Sequence, residues 1–413
     1  MTASTAQDER TFVIVGASLA GAKAAETLRA EGFAGRVILI GEEPEPPYER
    51  PPLSKGYLLG SEEREKAFVH DRGWYDKQNI ELRTDLRVEA LDPGAHTVTL
   101  ATGERVTYHK LLLTTGSVVR RLEVPGAELA GVHYLRRIEH ADTLRGVLVG
   151  GTRVVVVGGG WIGLEVAAAA RTHGAAVTLV EADALPLRRV LGDEVAQVFT
   201  DLHAEHGVDL RLGTGVEEFV GTGGRVASVT LDGGTSVPAD AVIVGVGITP
   251  AVELAQAAGL PVENGVLVDA ALRTSDPDVY AAGDVANAEN PLLGRRIRVE
   301  HWSNALNGGP AAARSMLGQE VVYDRVPYFF TDQYDLGMEY SGHAVPGSYD
   351  QVVFRGDVAG REFIVFWLAG GRVLAGMNVN IWDVTDDIER LVRSGARVGP
   401  DRLADPAVPL AEL

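Results

Sequence analysis

The sequence predicts an α/β fold in which a strand–turn–helix–strand unit occurs twice, followed by a C-terminal α+β region. The first unit starts with the β-forming run Thr11–Val15, and the second starts with Arg153–Val157 (RVVVV). Each run precedes a glycine-containing turn, a helix-forming segment and another buried-type strand, Arg36–Ile40 in the first unit and Ala176–Val180 in the second. Strands that alternate with helices in this way predict a parallel sheet covered by helices.

Each unit also contains an insertion. Residues from about Val88 to Leu113, and again Val216–Ala241, alternate apolar and polar side chains between turn residues, which predicts a small antiparallel sheet in each insertion. The Pro-rich stretch Glu45–Lys55 (EPPYERPPLSK) is incompatible with a regular helix or a central strand. We therefore expect an ordered loop or a linker there.

The pattern changes after Leu317. Gln351–Arg355 and Phe363–Leu368 indicate strands of an antiparallel sheet, and the segment around Val384–Arg393 indicates a helix. This region is predicted to be a third, α+β domain. The Pro-containing tail from Gly399 onward is predicted to be only loosely ordered.

Composition excludes several classes of protein. The net charge of −19 disfavours nucleic-acid and anionic-membrane surfaces. The absence of Cys excludes a disulfide, a redox-active Cys pair and a Cys-ligated cluster, so any redox chemistry requires a bound cofactor. The polar start MTASTAQDER lacks a signal-peptide core, and the apolar stretch Val154–Ala170 contains too many glycines for a membrane span. A cytoplasmic location is predicted.

The first glycine turn, Gly16–Gly21 (GASLAG), is a GxGxxG variant with Ser18 at the middle position. In such turns the glycines permit a sharp bend and a close approach of a pyrophosphate to the N-terminus of the helix. A serine is compatible with this role if its φ is ordinary. Glu42, with Glu43 as the alternative, follows the second strand, where an acidic residue binds ribose hydroxyls.

The second glycine turn, Gly158–Gly163 (GGGWIG), is intact and directly follows a strand. Glu181 ends the next strand, where a carboxylate accepts hydrogen bonds from ribose hydroxyls and repels a 2′-phosphate, which favours NAD over NADP. Arg188 and Arg189 follow closely and are suited to a 2′-phosphate, so the preference stays open. Two such turns predict two dinucleotide sites.

Six further segments carry a family resemblance that extends from Phe12 to about Arg390. They are YERPPLSK (48–55), TTG with VPG (114–116 and 124–126), GGGWIGLE (158–165), VGVGITP (244–250), AAGD (281–284) and EHWSNA (300–305). With these motifs the sequence resembles the FAD-dependent ferredoxin reductases of bacterial oxygenase systems, within the flavoproteins that have two dinucleotide-binding domains.

The resemblance implies domains and a reaction. Residues 1–115 and 246–317 are expected to bind FAD, residues 116–245 to bind NAD, and residues 318–413 to form the C-terminal α+β domain. NADH is expected to give a hydride to the flavin, which passes single electrons to an iron–sulfur ferredoxin.

The resemblance also implies roles for single residues. Lys55 and Glu165 are expected to pair near the reactive flavin nitrogen as the catalytic residues, where the lysine stabilises negative charge. Asp284 is expected beside the ribityl chain, and Trp302 beside the flavin pyrimidine, although a core aromatic remains an alternative for Trp302. Phe330 stands where many relatives have Trp, so an indole N–H donor is absent there.

The motifs and the resemblance together predict cofactor contacts along both units. The predicted residues are Gly16, Ser18, Ala20, Gly21, Glu42, Glu43, Arg50, Lys55, Thr115, Gly116, Gly158, Gly160, Trp161, Ile162, Gly163, Glu181, Arg189, Gly247, Asp284, Glu300, His301, Trp302 and Phe330. No metal site is predicted, since His301 has no second His or carboxylate at ligand spacing.

A ferredoxin partner is expected to be acidic, so docking on this acidic chain requires a local basic patch. Arg295, Arg296 and Arg298 (GRRIR) are the candidates, with a solvated charged hairpin as the alternative. Two other functions stay open: reduction of a small quinone or radical, and a signalling flavoprotein like apoptosis-inducing factor. A disulfide reductase is excluded by the absence of Cys.

Overall fold

A computed structural model describes residues 8–413, which form two compact units. Unit 1 consists of the residues up to Glu49, Arg64–Val118 and Thr249–Pro327. Unit 2 consists of Arg50–Glu63, Val119–Ile248 and Tyr328–Leu413. No signal peptide is predicted in the N-terminal segment MTASTAQDER. Residues 1–7 of that segment lie outside the described residues. The division into three domains stays a prediction.

The strands are numbered along the chain. They are β1 Thr11–Val15, β2 Arg36–Ile40, β3 Ile80–Arg83, β4 Val88–Asp92, β5 Thr97–Leu100, β6 Arg105–Thr107, β7 Lys110–Leu113, β8 Ser117–Val119, β9 Val132–Tyr134, β10 Arg153–Val157, β11 Ala176–Glu181, β12 Asp209–Leu212, β13 Val216–Thr222, β14 Arg225–Leu231, β15 Ser236–Pro238, β16 Ala241–Val244, β17 Ile248–Pro250, β18 Val266–Val268, β19 Val279–Ala281, β20 Ala286–Asn290, β21 Arg295–Arg298, β22 Tyr328–Gln333, β23 Leu336–Gly342, β24 Gln351–Asp357, β25 Glu362–Ala369 and β26 Arg372–Val379.

The α-helices are numbered in the same way. They are α1 Leu19–Ala30, α2 Gly56–Leu59, α3 Arg72–Lys77, α4 Ile138–Val147, α5 Trp161–Thr172, α6 Arg188–Leu191, α7 Asp193–Glu205, α8 Glu253–Ala257, α9 Trp302–Met316, α10 Thr385–Ser394 and α11 Pro400–Ala404. Short 3-10 turns occupy Pro51–Ser54, Arg64–Ala67, Gly283–Val285 and Leu410–Glu412.

The core of unit 1 is a parallel five-stranded sheet with the strand order β19–β7–β1–β2–β3. Its central strand β1 is apolar along its length, and four of its five residues are buried. Helices α1 and α9 pack closely in this unit. A Cβ atom at Gly309 would lie 2.1 Å from the carbonyl oxygen of Ala20, so only glycine permits this approach.

Unit 2 contains a second parallel five-stranded sheet with the order β12–β11–β10–β16–β9. Its C-terminal part is an antiparallel five-stranded sheet, β22–β23–β26–β25–β24, as the sequence predicts for this region. Both insertions contain the predicted small antiparallel sheet, β4–β5–β6 in unit 1 and β13–β14–β15 in unit 2. The end of the first predicted stretch, Lys110–Leu113, instead forms β7 of the parallel sheet. The predicted α/β fold class is confirmed.

The C-terminal tail differs from its prediction. It contains α11 and a 3-10 turn, and the side chains of Leu403 and Leu410 are buried. The buried Arg355 guanidinium donates to four tail carbonyls: those of Leu403 and Asp405 at 3.3 and 2.6 Å, and those of residues 406 and 408 at 3.3 and 2.7 Å. The prediction of a loosely ordered tail was therefore wrong, because a contact distant in sequence orders it.

No helix within residues 8–413 combines the length and apolar composition needed to cross a bilayer. The apolar stretch Val154–Ala170 instead forms β10, the second glycine turn and most of α5, as its glycines predict.

The Arg355 contacts predict a local stability effect. Arg355→Met removes the donor to four tail carbonyls and leaves the Arg390 hydrogen bonds to the carbonyls of Leu410 and Leu413. The free energy of local opening of residues 399–413 should therefore fall by about 2 kcal/mol. Hydrogen exchange measured by mass spectrometry on tail peptides tests this. Arg397→Met changes an exposed arginine and serves as the matched control. Equal tail exchange in both variants would contradict the prediction.

Candidate functional site

The first glycine turn of unit 1 is fixed by close backbone contacts. Gly16 has φ +118°, and a Cβ atom there would lie 2.1 Å from the carbonyl oxygen of Thr114. The Thr114 hydroxyl donates to the Gly16 carbonyl at 2.8 Å. A Cβ atom at Gly21 would lie 2.1 Å from the Gly16 carbonyl oxygen. Both outer glycines are therefore required by the turn itself.

Ser18 at the middle position precedes α1 with φ −121°, an ordinary extended conformation that any residue adopts. In the described chain its side chain makes no capping hydrogen bond, and the first turn of α1, which includes Ala20, contains no acidic residue. The N–H groups at this helix terminus are therefore suited to an anion such as a pyrophosphate. The substitution of Ser for Gly leaves the geometry of the motif intact.

The acidic residues after β2 lie beside this turn. Gly41 approaches it so closely that an added Cβ atom would lie 2.5 Å from the Ala17 Cβ. Glu42, the next residue, is exposed, whereas Glu43 is half-buried and accepts a hydrogen bond from the Tyr48 hydroxyl. Glu42 therefore stays the first candidate for a ribose hydroxyl pair.

Two further predicted segments of unit 1 are ordered by their own contacts. The Thr115 hydroxyl donates to the Ala251 carbonyl at 2.8 Å, and Gly116 has φ +68°. The next hydroxyl, that of Ser117, is buried and has no hydrogen-bond partner among the described residues. A buried hydroxyl of this kind is compatible with a polar ligand atom.

The motifs AAGD and EHWSNA lie around α9 in unit 1. Asp284 is half-buried in the 3-10 turn that begins at Gly283, a glycine with φ +76°. Glu300 and His301 lead into α9, and Trp302 is its first residue. The half-buried Trp302 indole N–H donates to Glu49 at 2.7 Å, which fixes the ring.

The second glycine turn, in unit 2, has the same construction. Gly158 has φ +106°, and a Cβ atom there would lie 2.4 Å from the Gly245 carbonyl oxygen. A Cβ atom at Gly163 would lie 2.0 Å from the Gly158 carbonyl oxygen. Gly160 differs: it caps α5 with φ −79°, and an added Cβ atom would meet no atom within 4 Å.

The residues after this turn have distinct environments. Trp161 contacts Phe199 edge-on, with ring centroids 5.6 Å apart, and also packs on Phe329. Its neighbour Ile162 is exposed. Trp161 therefore anchors the start of α5, while Ile162 faces solvent beside the turn.

The Glu181 carboxylate is bound by backbone N–H groups, accepting from Gly159 at 2.6 Å and from Asp183 at 2.7 Å. Asp183 in turn pairs with Arg188 and Arg189, each at 3.1 Å. Hydrogen bonds from the Ala184 N–H and from these two arginines lower the pKa of Asp183. Both arginines that suit a 2′-phosphate are thus already held by a carboxylate.

Lys55 and Glu165 meet in unit 2, at a cluster formed by the loop at residues 54–55, α5 and β22. The Glu165 side chain is 3% exposed, and its carboxylate accepts from Lys55 Nζ at 2.7 Å. It also accepts from the Ser54 hydroxyl at 2.5 Å and from the Thr331 hydroxyl at 2.6 Å. Every donor compensates the buried negative charge.

Phe330 also contacts Lys55, whose ammonium is 5.2 Å from the centre of the ring. A cation over an aromatic face is attracted by the ring quadrupole. Loss of hydration raises the pKa of the neighbouring Asp332, while Lys55 lowers it and Glu165 raises it. The Lys55 ammonium thus contacts both a carboxylate and an aromatic ring.

The remaining predicted residues of unit 2 lie in ordered backbone. Arg50 donates to the carbonyl of Arg136. Gly247 has φ +100°, and its carbonyl accepts from the Arg120 N–H at 3.0 Å. Lys55, Glu165 and Phe330 are thus brought together, whereas the two glycine turns belong to different units.

Comparison with known proteins identifies the family. A family model described as pyridine nucleotide-disulphide oxidoreductase matches residues 10–309, and one described as reductase C-terminal matches residues 328–413. The chain belongs to the pyridine nucleotide-disulphide oxidoreductase family. The disulphide in the family name has no counterpart here, because the sequence contains no Cys. Membership of this oxidoreductase family implies FAD and NAD(H) as cofactors.

Individual family members are similar along their whole length. The ferredoxin–NAD(+) reductase component of the anthranilate 1,2-dioxygenase system of Burkholderia cepacia is 44% identical over 97% of this chain and 98% of its own. Putidaredoxin reductase of Pseudomonas putida is 38% identical over 97% of this chain and 96% of its own. The predicted resemblance is confirmed.

A solved structure gives the same result. The chain has a TM-score of 0.94 to the reductase in a crystal structure of the covalent putidaredoxin reductase–putidaredoxin complex. That match has 38% sequence identity and covers 98% of this chain and 97% of the other.

Two residues of the Lys55–Glu165 cluster were not among the predicted site residues. Ser54 and Thr331 both donate to Glu165. Ser54 lies in the segment YERPPLSK (48–55), directly beside the predicted residue Lys55. Thr331 lies in the segment PYFFTDQY (327–334), directly beside the predicted residue Phe330. Their position next to a predicted residue was the available indication, but which hydroxyl faces the carboxylate depends on the fold.

Because the space at Gly160 is open, a substitution there should affect the binding of NADH without affecting the stability of the fold. Gly160→Ala should unfold like the parent, yet its methyl group would stand before the α5 N-terminus, where a family member binds pyrophosphate, and raise the NADH Kd roughly tenfold. Urea unfolding and NADH titration measure the two effects. The matched control is Gly146→Ala in α4, where an added Cβ atom also meets nothing within 4 Å. An unchanged Kd in Gly160→Ala would refute the assignment.

Proposed function

We propose that this chain is an NADH-dependent ferredoxin reductase whose FAD accepts a hydride from NADH and releases single electrons to an iron–sulfur ferredoxin that serves an oxygenase. The observation that carries the proposal is the buried Lys55–Glu165 cluster in a sequence without Cys. The cluster holds a cation for a reduced ring, and no internal disulfide is available as an acceptor. Electrons must therefore leave to a separate molecule.

Lys55 has the central role in the proposed site. Its ammonium stabilises negative charge that develops on a neighbouring ring system, and its position costs little reorganisation because Glu165 holds it at 2.7 Å. Glu165 also offsets the lysine charge in the absence of a reduced partner. The Phe330 ring also lies against the ammonium, and the Lys55 side chain is only 13% exposed.

The two glycine turns supply the binding of two dinucleotides. The N-terminus of α1 in unit 1 is assigned to the FAD pyrophosphate, and the N-terminus of α5 in unit 2 to that of NADH. Asp284, with Trp302, is assigned to the ribityl chain and the flavin ring. These assignments rest on the motif positions and on the open helix termini.

NADH is the proposed donor because of Glu181 and Asp183. The Glu181 carboxylate sits next to Gly159 at the turn, where it favours ribose hydroxyls and opposes a phosphate. Asp183 adds to the discrimination by holding both nearby arginines in ion pairs. A 2′-phosphate would have to compete with this carboxylate for each guanidinium.

The related reductases are named for ferredoxin and putidaredoxin, and an acidic ferredoxin is the proposed partner here. Arg295, Arg296 and Arg298 lie on β21 and stay the docking candidates. Arg296 donates to the Val268 carbonyl at 2.5 Å, and Arg298 donates to Asn264 at 3.1 Å and pairs with a neighbouring glutamate. Arg295 and Arg296 are both exposed and are the first two of the three to test. The cytoplasmic location also stays a prediction.

Anaerobic mixing tests the proposed function. The purified protein, reconstituted with FAD, should lose its flavin absorbance with NADH and then reduce a ferredoxin from an oxygenase system. Lys55→Met should slow flavin reduction roughly hundredfold, because the stabilising cation is lost. Lys66→Met, at an exposed lysine, is the matched control. Reduction of a quinone but of no ferredoxin would indicate a small-molecule reductase, and no bleaching by NADH would end the proposal.

The Asp183 ion pairs predict a change of nucleotide preference. Asp183→Ser should release Arg189, while Arg188 keeps its ion pair with Asp193. The freed guanidinium should raise the ratio of kcat/KM for NADPH to that for NADH about tenfold. Asp209→Ser makes the same change of charge at another exposed ion pair of unit 2, that with Arg211, and should leave the ratio unchanged. Similar ratios in the two variants would show that Asp183 does not act on the arginines.

A further inference from the structure

A chain of buried polar side chains extends from Glu165 into unit 2. The Thr331 hydroxyl donates to Glu165 at 2.6 Å and accepts from the Gln333 amide nitrogen at 3.2 Å. The Gln333 amide oxygen contacts His203 Nε2 at 2.8 Å. Thr331 and Gln333 are each 1% exposed and His203 is 0% exposed. Thr331 and Gln333 lie on β22, and His203 lies on α7.

The hydrogen bonds of this chain all point in one direction. Because the Gln333 nitrogen donates to Thr331, its oxygen faces His203, and His203 Nε2 must carry the hydrogen. Burial lowers the pKa of His203 to about 4, so the imidazole is neutral above that pH. Its Nδ1 is then an acceptor, and the Tyr334 hydroxyl lies 3.4 Å from it. Every donor is thus oriented toward the Glu165 carboxylate.

Tyr334 is held in an uncommon backbone conformation at the far end of the chain. Its φ is +56°, a region that residues with bulky side chains rarely adopt. The ring stacks on His206 with centroids 3.7 Å apart and meets His203 edge-on at 5.3 Å. A strained backbone conformation persists only where the surrounding contacts hold it in place. The contacts of the Tyr334 ring with the two histidines therefore hold Tyr334 and His203 in position together.

We propose that Gln333 and His203 are positioning residues for the Lys55–Glu165 pair, which hold the Thr331 hydroxyl so that it donates to Glu165. This inference rests on the proposed function, in which the pair faces the flavin. A polarised chain strengthens its last hydrogen bond, and that bond compensates the buried carboxylate. Glu165 can then keep Lys55 in place when the neighbouring flavin gains negative charge.

Proton transfer is not part of this role. A side-chain amide such as that of Gln333 is a poor proton relay, because its nitrogen is neither basic nor appreciably acidic near neutral pH, so the chain acts by orientation and charge. The titratable groups next to the chain include Lys55 at Glu165, and Tyr334 and His206 at His203. The charge of Asp332 interacts with those of Lys55 and Glu165. Packing alone does not require these polar side chains. Apolar residues of the same shape would fill the same space and would leave no polar atom to be satisfied.

The experiment is a double-mutant cycle on the FAD-loaded protein. Thr331→Val removes the donor to Glu165, and Gln333→Leu removes its support. The rate constant of flavin reduction by NADH should fall roughly tenfold in the first and roughly threefold in the second. The double variant should be no slower than Thr331→Val alone, since Gln333 acts only through that hydroxyl. The midpoint potential of the bound flavin, measured by spectroelectrochemistry, should fall in the same order.

Conservative variants and a control complete the design. Thr331→Ser keeps the hydroxyl and should restore both rate and potential. His203→Gln keeps a donor near Nε2, whereas His203→Leu should behave like Gln333→Leu. Ser341→Ala is the matched control, because this buried hydroxyl of the same sheet has no partner among the described residues.

The outcomes separate this inference from the proposed function. Bleaching of the parent protein by NADH tests the function, and the variants test the chain. An unchanged potential in Gln333→Leu, additive effects in the double variant, or an equal effect of Ser341→Ala would each overturn the inference while leaving the function intact.

Discussion

The buried ion pair between Lys55 and Glu165 is the interaction on which unit 2 depends. Removing two charges from water is unfavourable by several kcal/mol per ion unless each is fully hydrogen-bonded, and here the carboxylate has three donors. These donors come from the loop before α2 and from β22, while Glu165 lies on α5. The requirement to satisfy one carboxylate therefore ties together segments that are far apart in sequence.

The two glycine turns reach one backbone geometry with different sequences. In each, the first glycine lies against a carbonyl of a neighbouring segment, and the last lies against the carbonyl of the first. The middle residue is extended in both, with φ −121° at Ser18 and −79° at Gly160. The middle glycine of the motif is thus not needed for the turn, and its value lies in the room it leaves for a ligand.

Local patterns predicted most of the fold. The bounds of β1, β2 and β10 agree with the structure to the residue, because unbroken apolar runs between turns mark buried strands. Helix α5 begins at Trp161, inside the segment that the motif assigns to the glycine turn, since the end of that turn is already helical. Contacts between distant segments were not predictable: the Arg355 bonds to the tail, the grouping of residues 50–63 with unit 2, and the hydroxyls of Ser54 and Thr331.

The close crossing of α1 and α9 has a consequence for biosynthesis. Strand β19 and helix α9 complete unit 1, yet they are translated long after β1 and α1. During synthesis the early strands have no partner at one edge, and the small residues of α1 have no helix to cover them. Assembly of this unit is therefore a late, non-local event, and its early strands and helix expose apolar surface until the later segment has been translated.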